Sequence, residues 1–174
     1  MSRIEPVFDP AGPVLGIDPG VSSCGYGVVV RERAAARAVA CGVIRTEQTA
    51  RLPERLALLA DELAALVAQF GPSAMSVERV LFQNNARTAI SVGQASGLAL
   101  VAAARAGVPV AQYSPNEVKL AVTGDGRADK AAVQSMVARL LGLRDIPRPP
   151  DAADALALAC CHLWRAPLVA QVGR

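Results

Sequence analysis

The sequence predicts an α/β domain, a mixed five-stranded sheet flanked by helices. Short β-branched runs alternate with stretches whose apolar residues recur every three or four positions. The first three runs are joined by short connections, which suit antiparallel neighbours. A whole helical pattern separates the third run from the fourth, which suits a crossover to a parallel strand. With 174 residues, 52% of them apolar, and a mean hydropathy of +0.32, the chain can bury one core.

Taken in order, PVLGIDPG is an apolar run ended by an Asp-Pro-Gly turn, hence a strand and a tight loop. CGYGVVVRE and AVACGVIRT continue it as a three-stranded meander. The period then changes: Leu52, Leu56, Leu59, Leu63, Leu66 and Phe70 share one face of a helix that Gly71-Pro72 stops. AMSVERV is the fourth strand and LFQNN a polar loop. A small-residue helix runs from Arg87 to Arg105, where Ala89, Gly93, Gly97 and Ala104 permit close packing on the sheet or on a second copy. VPVAQY is the fifth strand, and Ser114-Pro115-Asn116-Glu117 is a capping box with proline in the first turn of the next helix. TGDGRADK is a Gly-rich basic loop before a helix carrying Val133, Met136, Val137, Leu140 and Leu141. The Pro-rich connector RDIPRPP leads into the last helix, PPDAADALALACC.

Composition narrows the function classes. No stretch reaches the ~18 uninterrupted apolar residues of a membrane span. The N-terminal MSRIEPVFDPAG has no apolar leader, so a cytoplasmic location is expected. Cys24, Cys41, Cys160 and Cys161 have no CxxC spacing and read as small buried hydrophobes in a reducing compartment. His162, the one histidine, has no ligand-spaced neighbours and reads as a helix-surface residue. Net charge is +3, yet if four of the 15 acids form one inward cluster the remaining surface carries 18 basic groups against 11 acidic ones, a balance that suits a polyanion partner. Of the 18 basic residues only Lys119 and Lys130 are lysines, and both lie in one segment. An ammonium is a compact point charge that guanidinium does not replace, so those two positions draw attention.

Four acids sit where burial makes a carboxylate costly. Asp18 and Glu78 each close a strand, at the edge where open α/β sheets build their sites. Asp151 and Asp154 are three apart in the last helix, about 60° around its axis, and can face one side. Asp151 could simply cap the helix, but Asp154 lies too deep for that. If the topology brings the four together, they must share protons or bind cations. Oxygen-only ligation selects hard ions, Mg²⁺ or Mn²⁺. Two such ions ~3.5–4 Å apart form the clamp used for in-line displacement at phosphate.

LGIDPG with GYGVV, VERVLFQNNARTAISVGQASGLAL, PNEVKLAVTGDGRADKAAVQSMV and DAADALALA occur in that order between Val14 and Trp164. Together they resemble the RuvC family of Holliday junction resolvases, the crossover junction endodeoxyribonucleases. The resemblance implies an RNase H-like fold over residues 13–166, with residues 1–12 an N-terminal extension and 167–174 a C-terminal tail. It implies a homodimer that nicks two opposing strands of four-way junction DNA symmetrically in recombination and repair, alongside a RuvA–RuvB branch-migration complex and away from any membrane. It implies ligation of two Mg²⁺ ions, for which Mn²⁺ can substitute, by Asp18, Glu78, Asp151 and Asp154, and cuts leaving 5′-phosphate and 3′-hydroxyl ends.

Lys119 and Lys130 match basic positions that the family uses near DNA. The loop after Glu78 usually carries one or two aromatics that contact the opened junction. Here it reads Leu81-Phe82, an apolar wedge with one aromatic. In the same loop Asn84, Asn85 and Arg87 are candidates for phosphate or base contact, although either asparagine would also cap the following helix. Arg127, beside Gly126, is a further phosphate candidate because glycine lets backbone approach closely.

Three rival readings fit less well. GIDPGVSSCG resembles the first phosphate loop of actin-like ATPases and sugar kinases, which need two such domains around a cleft. An RNase H-like ribosomal-RNA processing nuclease shares the opening motif, but the paired Asp151 and Asp154 favour the resolvase. A non-catalytic junction-binding module has no use for four acids, which without metal would only repel phosphate.

Overall fold

The computed structural model describes residues 12–33, 35–80 and 86–172. Its elements are β1 (Val14–Asp18), β2 (Ser23–Glu32), β3 (Ala35–Arg45), α1 (Leu52–Phe70), β4 (Ala74–Glu78), α2 (Ala86–Arg105), β5 (Val110–Tyr113), α3 (Pro115–Thr123), α4 (Lys130–Leu140) and α5 (Pro150–Val172). The five strands form one sheet in the order β3-β2-β1-β4-β5. β1, β2 and β3 are antiparallel neighbours, while β1–β4 and β4–β5 are parallel, so the sheet is mixed as expected.

Each face of the sheet has its own core. Leu15 and Ile17 of β1, Val28 of β2, and Met75 and Val77 of β4 pack under α1 and α2, against Leu59, Leu63, Ala95 and Ala99. The alternate residues face α5, which lies directly on the sheet, and α3 and α4 cover the far side of α5. That burial on nearly every side explains an unbroken buried run from Ala155 to Leu163 in α5.

Across its middle, the α5 face of the sheet carries only small side chains. Across neighbouring strands, Gly27 pairs with Gly16, Gly16 with Ser76, and Ser76 with Ala111, forming a row of small residues. A Cβ added at Gly16 would stand 2.0 Å from the carbonyl oxygen of Ala155, and one at Gly27 would stand 2.7 Å from the Leu156 nitrogen. Helix and sheet backbones therefore touch. Ser76, buried in the same row, donates its hydroxyl to the Leu158 carbonyl at 2.8 Å, which satisfies that buried hydroxyl.

The outer helices start and stop on local chemistry. Gly71 ends α1 at φ 50°, a left-handed turn that suits glycine, and its N–H returns to the Val67 carbonyl. Ser114 and Glu117 form the reciprocal capping box at the start of α3. Asp129 caps α4 by accepting from the Ala132 N–H at 2.7 Å.

Gly16→Ala tests the contact between backbones. The added methyl must push α5 off the sheet, which should destabilise the fold by about 3 kcal/mol. That is a fall of roughly 6–12 °C in Tm for a domain of this size, measured by thermal melting. An unchanged Tm would mean that α5 is not held at this distance.

Candidate active site

Strand register assembles the first two acids. Ile17 pairs with Val77 in parallel, so the next residues, Asp18 and Glu78, end neighbouring strands side by side. Two residues on from Gly16 and Ser76, both point to the α5 face. There α5 brings the second pair. Gly25, opposite Asp18 on β2, lies so close to Asp151 that a Cβ would stand 2.1 Å from its carbonyl oxygen. The Ser23 hydroxyl donates to the Asp151 carboxylate and fixes its direction.

Asp154 follows one turn later and meets the Lys130 ammonium at 2.6 Å. Carboxylate oxygens of Asp18, Asp151 and Asp154 lie within 4.8 Å of one another. Glu78 is not in that triad, but it lines the same solvent-open cavity of about 400 Å³ with Asp18, Asp154, Lys119 and Lys130. Pro115, Val118, Val133, Ala157 and Leu158 supply its apolar walls.

The electrostatics follow from this crowding. Burial pushes the Asp18 carboxyl up from 3.8 to about 7, and the charges of Glu78, Asp154 and Asp151 add to the shift. Burial also raises Glu78, with Asp154 adding to it, while Lys130 and a hydrogen bond with Asp18 oppose it. The hydrogen bond to Asp154 raises Lys130 and keeps it charged. These donors fit a hard divalent cation: all are carboxylate oxygens, three converge, and their excess negative charge needs a partner that one lysine does not supply.

The other expected contacts divide. Lys119 and Lys130 line the cavity, from α3 and the first position of α4. Arg127 does not; it is exposed in the loop before α4, where its backbone N–H is held by the Asp125 carboxylate at 2.8 Å. Leu81, Phe82, Asn84 and Asn85 lie outside the described residues, as does the side chain of Arg87. A Cβ added at Gly93 or Gly97 would meet nothing within 4 Å among the described residues, so this face of α2 does not pack on the sheet.

Two expectations are corrected. His162 is not on the helix surface: it is buried beside Tyr113 at the end of β5, with Nδ1 2.9 Å from the Tyr113 hydroxyl. Burial lowers its pKa. Cys41 is exposed on edge strand β3, whereas Cys24, Cys160 and Cys161 are buried thiols as expected. Sequence reasoning did not single out Ser23, whose role appears only once β2 is registered against β1. It also passed over the serine in AMSVE, although one hydroxyl in an otherwise apolar strand core is a signal.

The chain is similar in sequence and fold to known proteins. The family model of crossover junction endodeoxyribonuclease RuvC matches residues 14–162. The crossover junction endodeoxyribonuclease RuvC of Frankia casuarinae is 53% identical over 163 residues, covering 91% of this chain and 92% of its own length. Among solved structures, Thermus thermophilus RuvC in complex with a Holliday junction substrate is 40% identical, with a TM-score of 0.86 over 91% of this chain and 96% of that one. The yeast mitochondrial Holliday junction resolvase Ydc2, at 18% identity and a TM-score of 0.67, shares the fold. With the family model spanning both the strand that ends in Asp18 and the helix that carries Asp151 and Asp154, the chain belongs to the RuvC family of crossover junction endodeoxyribonucleases.

Proposed function

We propose that this chain resolves four-way DNA junctions by metal-dependent phosphodiester hydrolysis, with Asp18, Glu78, Asp151 and Asp154 holding two Mg²⁺ ions that Mn²⁺ can replace. The observation that carries the reading is the convergence of the Asp18, Asp151 and Asp154 oxygens within 4.8 Å at the end of a sheet in a RuvC-family chain. The ions would supply Lewis-acid activation of water and of the leaving oxygen, giving 5′-phosphate and 3′-hydroxyl ends.

The chain's own residues define the rest. The sheet and α5 hold the carboxylates rigidly, because two come from strand ends and two from a helix in backbone contact with those strands. Ser23 orients Asp151. The apolar walls thin the water around the reacting phosphate and strengthen each charge interaction there. Lys119 and Lys130 set positive charge opposite the acids, where the phosphate's oxygens gather negative charge during displacement.

Paired nicks need paired sites. On α2, Ile90 is 62% and Val101 47% exposed, and Gly93 and Gly97 are open between them. This stripe supports a homodimer in which two copies of α2 meet, presenting two cavities to the two-fold symmetry of a junction. No helix of the described residues is long and apolar enough to cross a membrane. Family membership supports cytoplasmic work on DNA with a RuvA–RuvB partner.

The deciding experiment compares a synthetic four-way junction with a linear duplex, with and without Mg²⁺ or Mn²⁺. Metal-dependent cutting of the junction alone is expected; equal cutting of both would overturn structure selectivity. Asp18→Asn or Asp154→Asn removes a ligand worth several kcal/mol, so cleavage should fall about a thousandfold while junction binding in a gel-shift assay persists. Full activity in either variant would remove that acid from the site.

Lys119→Ala should slow single-turnover cleavage roughly 10- to 100-fold and leave Tm within ~2 °C. An unchanged rate would make Lys119 an ordinary surface lysine.

Because Asp18 titrates near 7 when folded and 3.8 otherwise, the stability it contributes is present below about pH 4 and is lost as pH rises through about 7. In chelator, Asp18→Asn should therefore melt above the unmodified chain near pH 8 and level with it near pH 4. A gap that does not widen with pH would contradict the crowding of charge at Asp18.

A further inference from the structure

Beside the cavity, one carboxylate collects more partners than helix capping needs. Glu117 Oε2 accepts the Ser114 N–H and hydroxyl, both at 2.9 Å, which completes the capping box of α3. Arg79 Nη1 also approaches Oε2, at 3.6 Å, and Arg165 Nη1 approaches Oε1 at 3.3 Å. Arg79 is the residue after Glu78. Its backbone N–H extends the β4–β5 ladder to the Tyr113 carbonyl at 2.8 Å, and its Nη2 reaches the Gln112 carbonyl at 2.8 Å. Arg165, on α5, lies 5.7 Å from the centre of the Tyr113 ring. A single side chain thus ties together the exit of β4, the start of α3 and the far part of α5.

A capping box is served equally by glutamine, so capping does not explain a charge here. Nor does stability, because the Arg79 side chain is 50% and the Glu117 side chain 30% exposed, and pairs so wet add little. The remaining explanation is geometric. Arg79 adjoins Glu78, and Glu117 is two residues from Lys119, so their ion pair spans the gap between an acid and a lysine of the same cavity. We propose that Glu117 is a positioning residue: by holding Arg79 it sets the separation of Glu78 from Lys119. This rests on the nuclease reading above. Through that strap the strand bearing Glu78 and the helix bearing Lys119 keep a common frame while a phosphate is bound between them.

Glu117→Gln isolates the strap, because it keeps the capping box and removes the charge. In single-turnover cleavage of a four-way junction at saturating Mg²⁺, the variant should cut about tenfold more slowly, since small misplacements of reacting groups carry penalties of this size. Junction affinity should stay within about twofold and Tm within ~2 °C, as expected for a wet ion pair. Arg79→Ala should lose the same factor, and the double variant should be no slower than either single.

An unchanged rate in Glu117→Gln, a loss confined to junction affinity, or losses that multiply in the double variant would each overturn the proposal. If Glu117→Gln melts far below the unmodified chain, Arg79→Ala alone decides, by the same rate and affinity criteria. Failure of the unmodified chain to cut junctions would instead overturn the nuclease reading, so the two failures are distinguishable.

Discussion

The structure depends on one close contact, between the backbone of α5 and the backbones of β1 and β2. Side chains normally stand between packed elements, keeping stacked sheets, for example, about 10 Å apart. Here Gly16, Gly25 and Gly27 remove that layer, and any Cβ on them would collide with α5 main-chain atoms. Two consequences follow from so short a distance. Asp151 and Asp154 come within reach of acids on strand ends, which short aspartate side chains could not manage across an ordinary interface. The helix must also be apolar on its sheet side, which its run of Ala, Leu and Cys provides.

Rigidity at this contact matters because the site works against the fold. Like charges are pressed together at partial burial, and Asp18 responds by titrating near 7. An arrangement of this kind persists only where surrounding packing over-determines it. Cores on both faces of the sheet do so here, with Ile17 and Val77 locked beneath α1 and α2 immediately before the two strand-end acids. Lys130 compensates part of the negative charge, and a divalent cation would compensate more.

Much of this was legible in the sequence, for identifiable reasons. The strands and helices follow from hydrophobic period, and the mixed sheet follows from connection length. The four acids stood out because each interrupts or closes an apolar run, and a carboxylate in such a place needs a reason. What escaped notice depends on elements distant in the chain. Periodicity assigns His162 to a face of its own helix but is silent on Tyr113 of β5 meeting it there. The exposure of Cys41 reflects the edge position of β3, a matter of strand order rather than local pattern. Ser114 and Glu117 were recognisable as a capping box, while the arginines that share the same carboxylate come from 38 residues before it and 48 after.

The layering of α5 between the sheet and the α3–α4 pair divides the cavity by charge. All four acids belong to the sheet or to α5, and both lysines belong to the outer layer. The anionic wall is thus continuous with the rigid centre of the molecule, whereas the cationic wall is carried by short helices resting on it. The carboxylates are therefore set by the contact of α5 with the sheet, and the lysines by the α3–α5 and α4–α5 contacts. In mechanical terms the site is a fixed anvil with a mounted jaw, the acids riding on the sheet and α5 and the lysines on the outer helices.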